Sequence, residues 1–316
     1  MKERTKLLLG KYQIRKTKEQ KNSFIEYATE QASALGYTVN IEEGSGAKNI
    51  VIGKPESAKV IFTAHYDTCP VMPFPNLITP KNILIYLLYQ MLVIILMLAL
   101  PLALYILLGT LVNPWLGCFT FIFSYFGLMA VMLYGPANKQ TANDNTSGVA
   151  TVFEIMESLP EEYRESVLFI LFDLEERGLV GSSAYRKKHK AETENIPLIN
   201  FDCVSDGKHI LLVGKKTSAS IKDALIASFE SNEVFTAEYA DKGVIYPSDQ
   251  KHFPLGIGVS ALKRTKKGLL YTDKIHTPKD TVFEEENIDY LKNSALKLVK
   301  YINGVEKENT ENANIT

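Results

Sequence analysis

The feature that most limits what this chain can become is a run without charge. The 57 positions from 82 to 138 contain no Asp, Glu, Lys, Arg or His. They divide into two apolar stretches, 82–112 and 113–138. A membrane-crossing helix needs about 20 apolar residues. The first stretch is longer than that and carries Pro101, which predicts a tilt or a kink. The second fits one crossing without adjustment. Asn113, Pro114 and Gly117 mark a turn between them. Tyr86, Tyr89, Trp115 and Tyr134 lie near the ends, where interfacial aromatics gather. The expectation is a transmembrane helical hairpin over 81–137, with helices at about 83–112 and 114–135. The alternative is a buried lid or dimer interface. It requires burying an uncharged run of this length in a chain of 316 residues, which has too little interior for it.

Two spans return the chain to its starting side. Lys81 and Lys139 flank the hairpin, and the connecting turn has no charge. The positive-inside bias then places both flanks in the cytoplasm. The N-terminal 21 residues hold eight Lys/Arg against two Glu, a charge balance that would let them lean on anionic lipid. The same segment has too short an apolar core for a cleaved secretory signal. Overall net charge is −1, which implies no general affinity for nucleic acid. Cys69, Cys118 and Cys203 form no close-spaced pair, so a disulfide framework is not expected and a reducing compartment is.

The flanks read as one interrupted domain. Residues 17–36 have helical spacing of Phe24, Ile25, Ala28, Ala32 and Leu35. Strand-like runs follow at 37–43, 48–54 and 58–65. After the hairpin, helices are predicted at 146–159, 179–189, 222–231 and 286–302, and strands at 166–173, 197–202, 209–214 and 256–264. Alternating strands and helices predict an α/β fold, a three-layer sandwich with a mixed, mostly parallel central sheet. Segment 1–80 forms its first part and 138–305 its second. Residues 306–316 are expected to be a disordered tail.

Acids and histidines sit at the predicted strand ends: His65 and Asp67, Asp173 with Glu175 and Glu176, and Asp202. Asp144 lies just after the hairpin and His276 near the C-terminal helix. In open α/β sheets ligands bind beyond the carboxyl ends of the strands, so these side chains can converge. A mixed His/carboxylate set suits zinc or a similar metal, and a carboxylate has two oxygens with which to bridge two ions. A two-metal site also needs a base that is not itself a ligand.

The segments "AHYDT", "NDNTSGVA", "EERGLVGS", "NFD" and "IHTPKDT", in that order, resemble the M28 family of co-catalytic zinc peptidases, mostly aminopeptidases. The resemblance covers both flanks and leaves the hairpin unexplained. It implies two Zn²⁺ ions, with Co²⁺ or Mn²⁺ meeting the same donors. By it His65 and Asp202 complete one metal, Glu176 and His276 the other, and Asp144 bridges them. Glu175 is the general base for a metal-bridging hydroxide, and Asp67 orients His65. A cis peptide is implied before Asn145. "YPSDQKHF" is similar to the family's Ser-Asp-His segment, which makes Tyr246, Ser248 and Asp249 candidate substrate-binding residues. There Gln250 stands where His is common, and Ile275 stands where some relatives place an oxyanion-donating Tyr.

The expectation is a membrane-anchored aminopeptidase acting on peptides that are apolar or membrane-associated. A carboxypeptidase or dipeptidase would need a positive pocket, for which Lys263, Arg264, Lys266 and Lys267 are the nearby cluster. A glutaminyl-cyclase-like acyltransferase would use one zinc. An inactive membrane scaffold or receptor would lack ligands. Cys69 and Cys203 read as small buried residues, Asp173 as a satisfied strand-end acid, and His189 and His209 as surface-helix and strand residues. The sequence does not set the oligomeric state.

Overall fold

The fold comes from a computed structural model, which describes residues 2–313, with side chains described to residue 304. The first helices are α1 (Glu3–Gly10) and α2 (Lys18–Ala34). Strands β1 (Val39–Gly44), β2 (Ala47–Ile52) and β3 (Val60–His65) follow, and then the hairpin helices α3 (Ile83–Leu111) and α4 (Pro114–Tyr134). The second flank contributes α5 (Gly148–Ser158), β4 (Val167–Phe172), α6 (Val180–Lys188), β5 (Leu198–Phe201) and β6 (His209–Val213). It continues with α7 (Lys222–Ser228), β7 (Thr236–Ala240), β8 (Gly256–Arg264), β9 (Leu270–Tyr271) and α8 (Glu285–Ala313). The expectation for 306–316 falls on side chains, and at 314–316 on backbone, outside the described residues.

The strands form one mixed sheet in the order β1-β2-β4-β3-β5-β8-β6-β7, with β9 on β8. Its centre, β4-β3-β5-β8, is parallel. β1, β2 and β6 add antiparallel pairings on either side. Side chains of a strand alternate between faces, and the core follows that rule. Val60, Phe62 and Ala64 of β3 and Val167, Phe169 and Leu171 of β4 enter the larger core, with Phe24 of α2, Phe153 of α5 and Leu291 of α8. Ile61, Leu168, Ile170 and Phe172 point the other way, to Tyr185 of α6 and Phe253. Helices on both faces of the sheet make the expected three layers.

The strands before and after the hairpin interlock. β4 from after the hairpin lies between β2 and β3 from before it, so neither flank has a complete sheet alone. The sequence reading did not foresee β7 or β9. β7 has burial no deeper than intermediate, and β9 has two residues.

The hairpin stands apart from this body. α3 and α4 are long and apolar enough to cross a membrane. Trp115, Phe123 and Leu111 are 77%, 73% and 74% exposed. A Leu, Ile or Phe side chain left in water forgoes about 1.5–3 kcal/mol of burial, so two helices bearing many such residues fit an apolar surrounding better than water. Asn113 caps α4 by accepting from Leu116 N–H at 2.9 Å, and Pro114 occupies the first turn, where it costs no hydrogen bond. Pro101 lies inside α3 without ending it. Gly117, read from sequence as part of the turn, is inside α4. A Cβ added there would lie 2.8 Å from Tyr105 O and 2.9 Å from Gly109 Cα, so the glycine permits close helix contact.

The N-terminal cations are engaged within the body. Arg4 pairs with Glu157 at 2.7 Å, Lys21 with Asp173 at 2.9 Å, and Lys2 with Glu154. Arg15 is fully buried. These contacts account for half of the basic residues that composition alone would offer to lipid.

Candidate metal centre and catalytic cavity

Three parallel neighbours, β4, β3 and β5, end on one edge of the sheet. His65 is the last residue of β3 and pairs in register with Phe172 of β4. Asp173 and the Glu175-Glu176 turn follow β4, and Asp202 follows β5. Asp144 comes from the turn 142–147 that leads into α5, and His276 from the loop after β9. All five ligand-type side chains predicted from sequence converge there.

Asp144 stands between the two histidines. Its Oδ1 is 3.2 Å from His65 Nε2, and its Oδ2 is 2.9 Å from His276 Nε2. His65 Nε2 is 3.7 Å from Asp202 Oδ1, and His276 Nε2 is 3.2 Å from Glu176 Oε2. His65, Asp144 and Asp202 thus form one group of donor atoms lying within 4.8 Å of one another. A second group of the same span joins Glu176, His276 and Cys69. Cys69 is buried, as expected, but its closeness to these donors was not anticipated; its position directly after "HYDT" was the available signal.

The chemistry of the donors fits a bound cation. His65 Nδ1 donates to the backbone carbonyl of Asp67 at 3.1 Å. A neutral imidazole so bonded presents a bare lone pair at Nε2 to two carboxylates, and a cation between them resolves the repulsion. Glu176 Oε1 and His276 Nδ1 are buried without a hydrogen-bond partner among the described residues. Burial opposes protonation of His65, but Glu175, Asp144 and Asp202 outweigh it and hold its pKa well above the ordinary histidine value. His276 behaves alike: burial lowers, and Glu176 with Asp144 raises it further than burial takes away.

The backbone around Asp144 is fastened from several sides. Asn145 Nδ2 donates to Phe201 O at 2.9 Å, and its Oδ1 accepts from Gly148 N–H and Cys203 N–H. Asn143 Oδ1 accepts from Ser205 N–H and Asp206 N–H. The two asparagines flanking the acid therefore tie it to the end of β5. Gly148 lets α5 begin here, because a Cβ would come within 2.3 Å of Phe201 O. The Asp144–Asn145 peptide is cis. Leu174, Cys203 and His276 hold φ between 55° and 61°, left-handed backbone that costs energy in residues with a Cβ and gathers at functional sites.

Asp67 sits beside His65, with its carboxylate 3.6 Å from Nδ1. Its closer bonds go elsewhere. Asp67 Oδ1 accepts from Glu175 N–H at 2.9 Å and Oδ2 from Glu176 N–H at 3.3 Å, so the carboxylate holds the Glu175-Glu176 turn. Desolvation pushes the Glu175 carboxyl well above its ordinary range; His65 pulls it down, and Glu176, Asp202 and Asp249 add to the rise. Glu175 belongs to neither donor group.

Two supporting residues escaped the sequence reading. Asp280 accepts from Asn143 N–H and Asp144 N–H, each at 3.0 Å. It lies in the quoted "IHTPKDT", next to a histidine that drew attention first. Arg15 is buried behind the site; it donates to Thr146 Oγ1 at 3.2 Å and to the carbonyls of Tyr66 and Tyr12. Nothing in "YQIRK" distinguishes it from a surface arginine. Asp173 is a satisfied strand-end acid, bonded to Lys21 and to the N–H groups of Lys48 and Leu174.

The donors open onto a cavity of ≈ 170 Å³ lined by His65, Asp144, Glu175, Glu176, Asp202 and His276, with Tyr246 and Ile275 among its other walls. Tyr246 donates through its hydroxyl to Asp202 O at 3.0 Å. Ser248 and Asp249 do not line the cavity. Both are fully buried; Ser248 Oγ accepts from Asn200 Nδ2 at 2.9 Å, and burial pushes the Asp249 carboxyl up to about 7. Gln250 braces Tyr246, donating to its carbonyl at 2.8 Å. Among the described residues no Lys or Arg lines the cavity; Lys263 is bound to Asp206 at 3.1 Å and to Asp273.

The chain belongs to peptidase family M28, whose family model matches residues 127–300. It is thus a metallopeptidase, a hydrolase of peptides. Its structure is similar to that of the LapA aminopeptidase of Legionella pneumophila, at 13% identity and TM-score 0.58, over 94% of this chain and 69% of that one. A Zn-dependent exopeptidase from Parabacteroides distasonis aligns at 16% identity and TM-score 0.57, over 95% and 94% of the two chains. A glutaminyl cyclase from Porphyromonas gingivalis aligns at 14% identity and TM-score 0.56, over 94% of each. At these identities the likeness is one of fold. A search of curated proteins finds no match.

Proposed function

We propose that the protein is a membrane-anchored, dinuclear zinc aminopeptidase with its catalytic domain on the cytoplasmic side. The observation that carries this reading is the Asp144 carboxylate, one oxygen facing His65 and the other His276. His65 and Asp202 would hold one zinc, Glu176 and His276 the other, and Asp144 would be shared between them. The N, O donor set suits zinc, and cobalt or manganese meet the same donors. Zinc bound there supplies a Lewis acid for the scissile carbonyl and lowers the pKa of a coordinated water.

Glu175 acts as general base. It stands at the cavity wall outside both donor groups, and Asp67 holds its backbone in place. Its raised pKa suits a group that must take a proton from the attacking water and return it to the leaving amine. The cavity is smaller than the roughly 300–1,000 Å³ that admits a drug-sized ligand, a size that favours removal of one terminal residue. A carboxypeptidase reading lacks a cation in the cavity wall to receive a substrate carboxylate. Cyclisation of N-terminal glutamine is the second reading, favoured by the fold shared with the glutaminyl cyclase; the full five-ligand set argues for hydrolysis. An inactive scaffold would have no need of that set.

Lys81 and Lys139 at the hairpin's base, with no charge at its tip, support the cytoplasmic orientation through the positive-inside bias. The test uses detergent-purified protein and short peptides with free or acetylated N-termini, with products followed by mass spectrometry. Release of single N-terminal residues from free peptides only is expected. Chelator should abolish it, zinc should restore it, and Glu175→Gln should prevent it. Turnover of acetylated peptides, or cyclised N-terminal glutamine, would overturn the aminopeptidase reading.

A further inference from the structure

The hairpin contributes to the catalytic cavity. Asn76 and Ile78, from the segment leading into α3, and Tyr86, from the early turns of α3 itself, line the cavity together with the metal-ligand side chains. Tyr86 is half-buried, in contrast to the exposed apolar residues beside it, Leu84, Leu87 and Leu88.

Helix lengths explain how a membrane-crossing helix reaches the site. α4 has 21 residues and α3 has 29. At about 1.5 Å per residue, α4 spans about 32 Å, close to the ~30 Å hydrocarbon core. α3 spans about 43 Å by the same rise. The two meet at the Asn113 turn, so the excess of α3 lies at its N-terminal end, beside the body. Tyr86 is on that overhang.

The overhang is fastened to the active-site loops. Tyr89 donates through its hydroxyl to Pro75 O. Ile78 exchanges two backbone hydrogen bonds with Thr272, at 2.9 and 3.0 Å. Met72 N–H donates to the carbonyl of His276 at 2.9 Å. At the other root, Asn138 Nδ2 donates to Thr277 O at 3.0 Å. The wall that includes Tyr86 is therefore fixed relative to the metal ligands and is not a loose cover.

We propose that Tyr86, together with Ile78 and Ile275 of the same cavity lining, forms the apolar wall that receives the side chain of the residue to be removed. This proposal rests on the aminopeptidase reading above and specifies its substrate class: peptides with a large apolar N-terminal residue, taken at the membrane face. An apolar wall discriminates by area, and differences of one or a few methylenes in such a pocket are worth about 10–200-fold in kcat/KM.

The experiment compares the full-length wild type with Tyr86→Ala, Tyr86→Phe and Tyr86→Trp in detergent, on peptides differing only in an N-terminal Leu, Phe or Ala. Bound zinc is measured for each. Free leucine and alanine are titrated into the same proteins by calorimetry, which reads the wall without turnover. Wild type should prefer Leu and Phe over Ala. In Tyr86→Ala that preference should fall about tenfold or more, within the pocket range above, with zinc content retained. Tyr86→Phe should restore it, and Tyr86→Trp should shift selection toward Ala. An unchanged Leu:Ala ratio in Tyr86→Ala, in turnover and in binding, would overturn the proposal. So would an equal fall for all three peptides accompanied by loss of zinc, which would make Tyr86 a purely structural residue. Absence of N-terminal release by the wild type would end the aminopeptidase reading instead, and leucine binding that weakens in Tyr86→Ala would still support the wall.

Discussion

The α/β body and the helical hairpin use similar apolar side chains in opposite surroundings. In the body, Phe62, Phe153, Phe169 and Phe201 are wholly buried around the sheet. In the hairpin, Phe119, Phe123 and Phe126 are 58%, 73% and 64% exposed. The body places its polar groups at one sheet edge, where carboxylates and histidines crowd together. The hairpin has no charged residue at all. One region is organised by withdrawing apolar groups from water, while the other leaves them exposed on two helices long and apolar enough to cross a membrane. What joins the two is a short overhang of α3 and the roots at 70–80 and 136–138. The difference teaches that chemistry and anchorage are separable in this chain except at that junction.

Mutations on the body side should change chemistry and spare the hairpin. Glu175→Gln should lower kcat by about 10²–10⁴, the usual worth of a general base, with zinc content unchanged by atomic absorption. Loss of zinc from this variant would mean that Glu175 is a ligand. Asp280→Ala removes the acceptor for two backbone N–H groups at the bridging residue. It should weaken zinc binding about 10–100-fold, as loss of such outer support does, measured by competition with a chromophoric chelator. An unaltered zinc affinity would show that the Asn143 and Asn145 bonds suffice.

Changes on the hairpin side should spare the metal donors, and those that remove Tyr86 should alter substrate selection as well. Replacing 83–136 with a short linker should leave zinc binding intact while abolishing the advantage of peptides delivered in vesicles over the same peptides in solution. Equal kinetics before and after the deletion, on vesicle-bound peptides, would break the view that the enzyme works at the membrane face. The smallest effect is expected from Gly117→Ile. Overpacking the close contact with Gly109 should cost about 1–3 kcal/mol of hairpin stability, read as a lower melting temperature in detergent, with kcat on soluble peptides unmoved.

Much of the fold was legible because its signals are local. Strand β8 coincides with the run 256–264, and α3 and α4 begin and end within one or two residues of the expected spans. β7 was missed because its residues are only half-buried and carry no clear alternation. Among site residues, the five ligand candidates were visible because five short motifs in that order resemble those of the family. Ser248 and Asp249, read as candidate substrate-binding residues, are both buried away from the cavity lining, with Ser248 accepting from Asn200, because a polar residue in a loop gives no sign of which way it faces. Asp280 and Arg15 remained hidden because they meet partners more than 100 positions away, the N–H groups of Asn143 and Asp144 for one and the Thr146 hydroxyl for the other.

The sequence by itself determined most of the helices and strands and the apolar hairpin, since each depends on composition or periodicity within a few residues, while the candidate metal donors came from the order of five short motifs. Only the tertiary structure decided that Asp144 faces two histidines, that Asp67 holds the Glu175 turn, and that Tyr86 of a membrane-length helix lines the catalytic cavity. Those facts depend on distances across the sheet edge between segments far apart in the chain, and no local pattern encodes a distance of that kind.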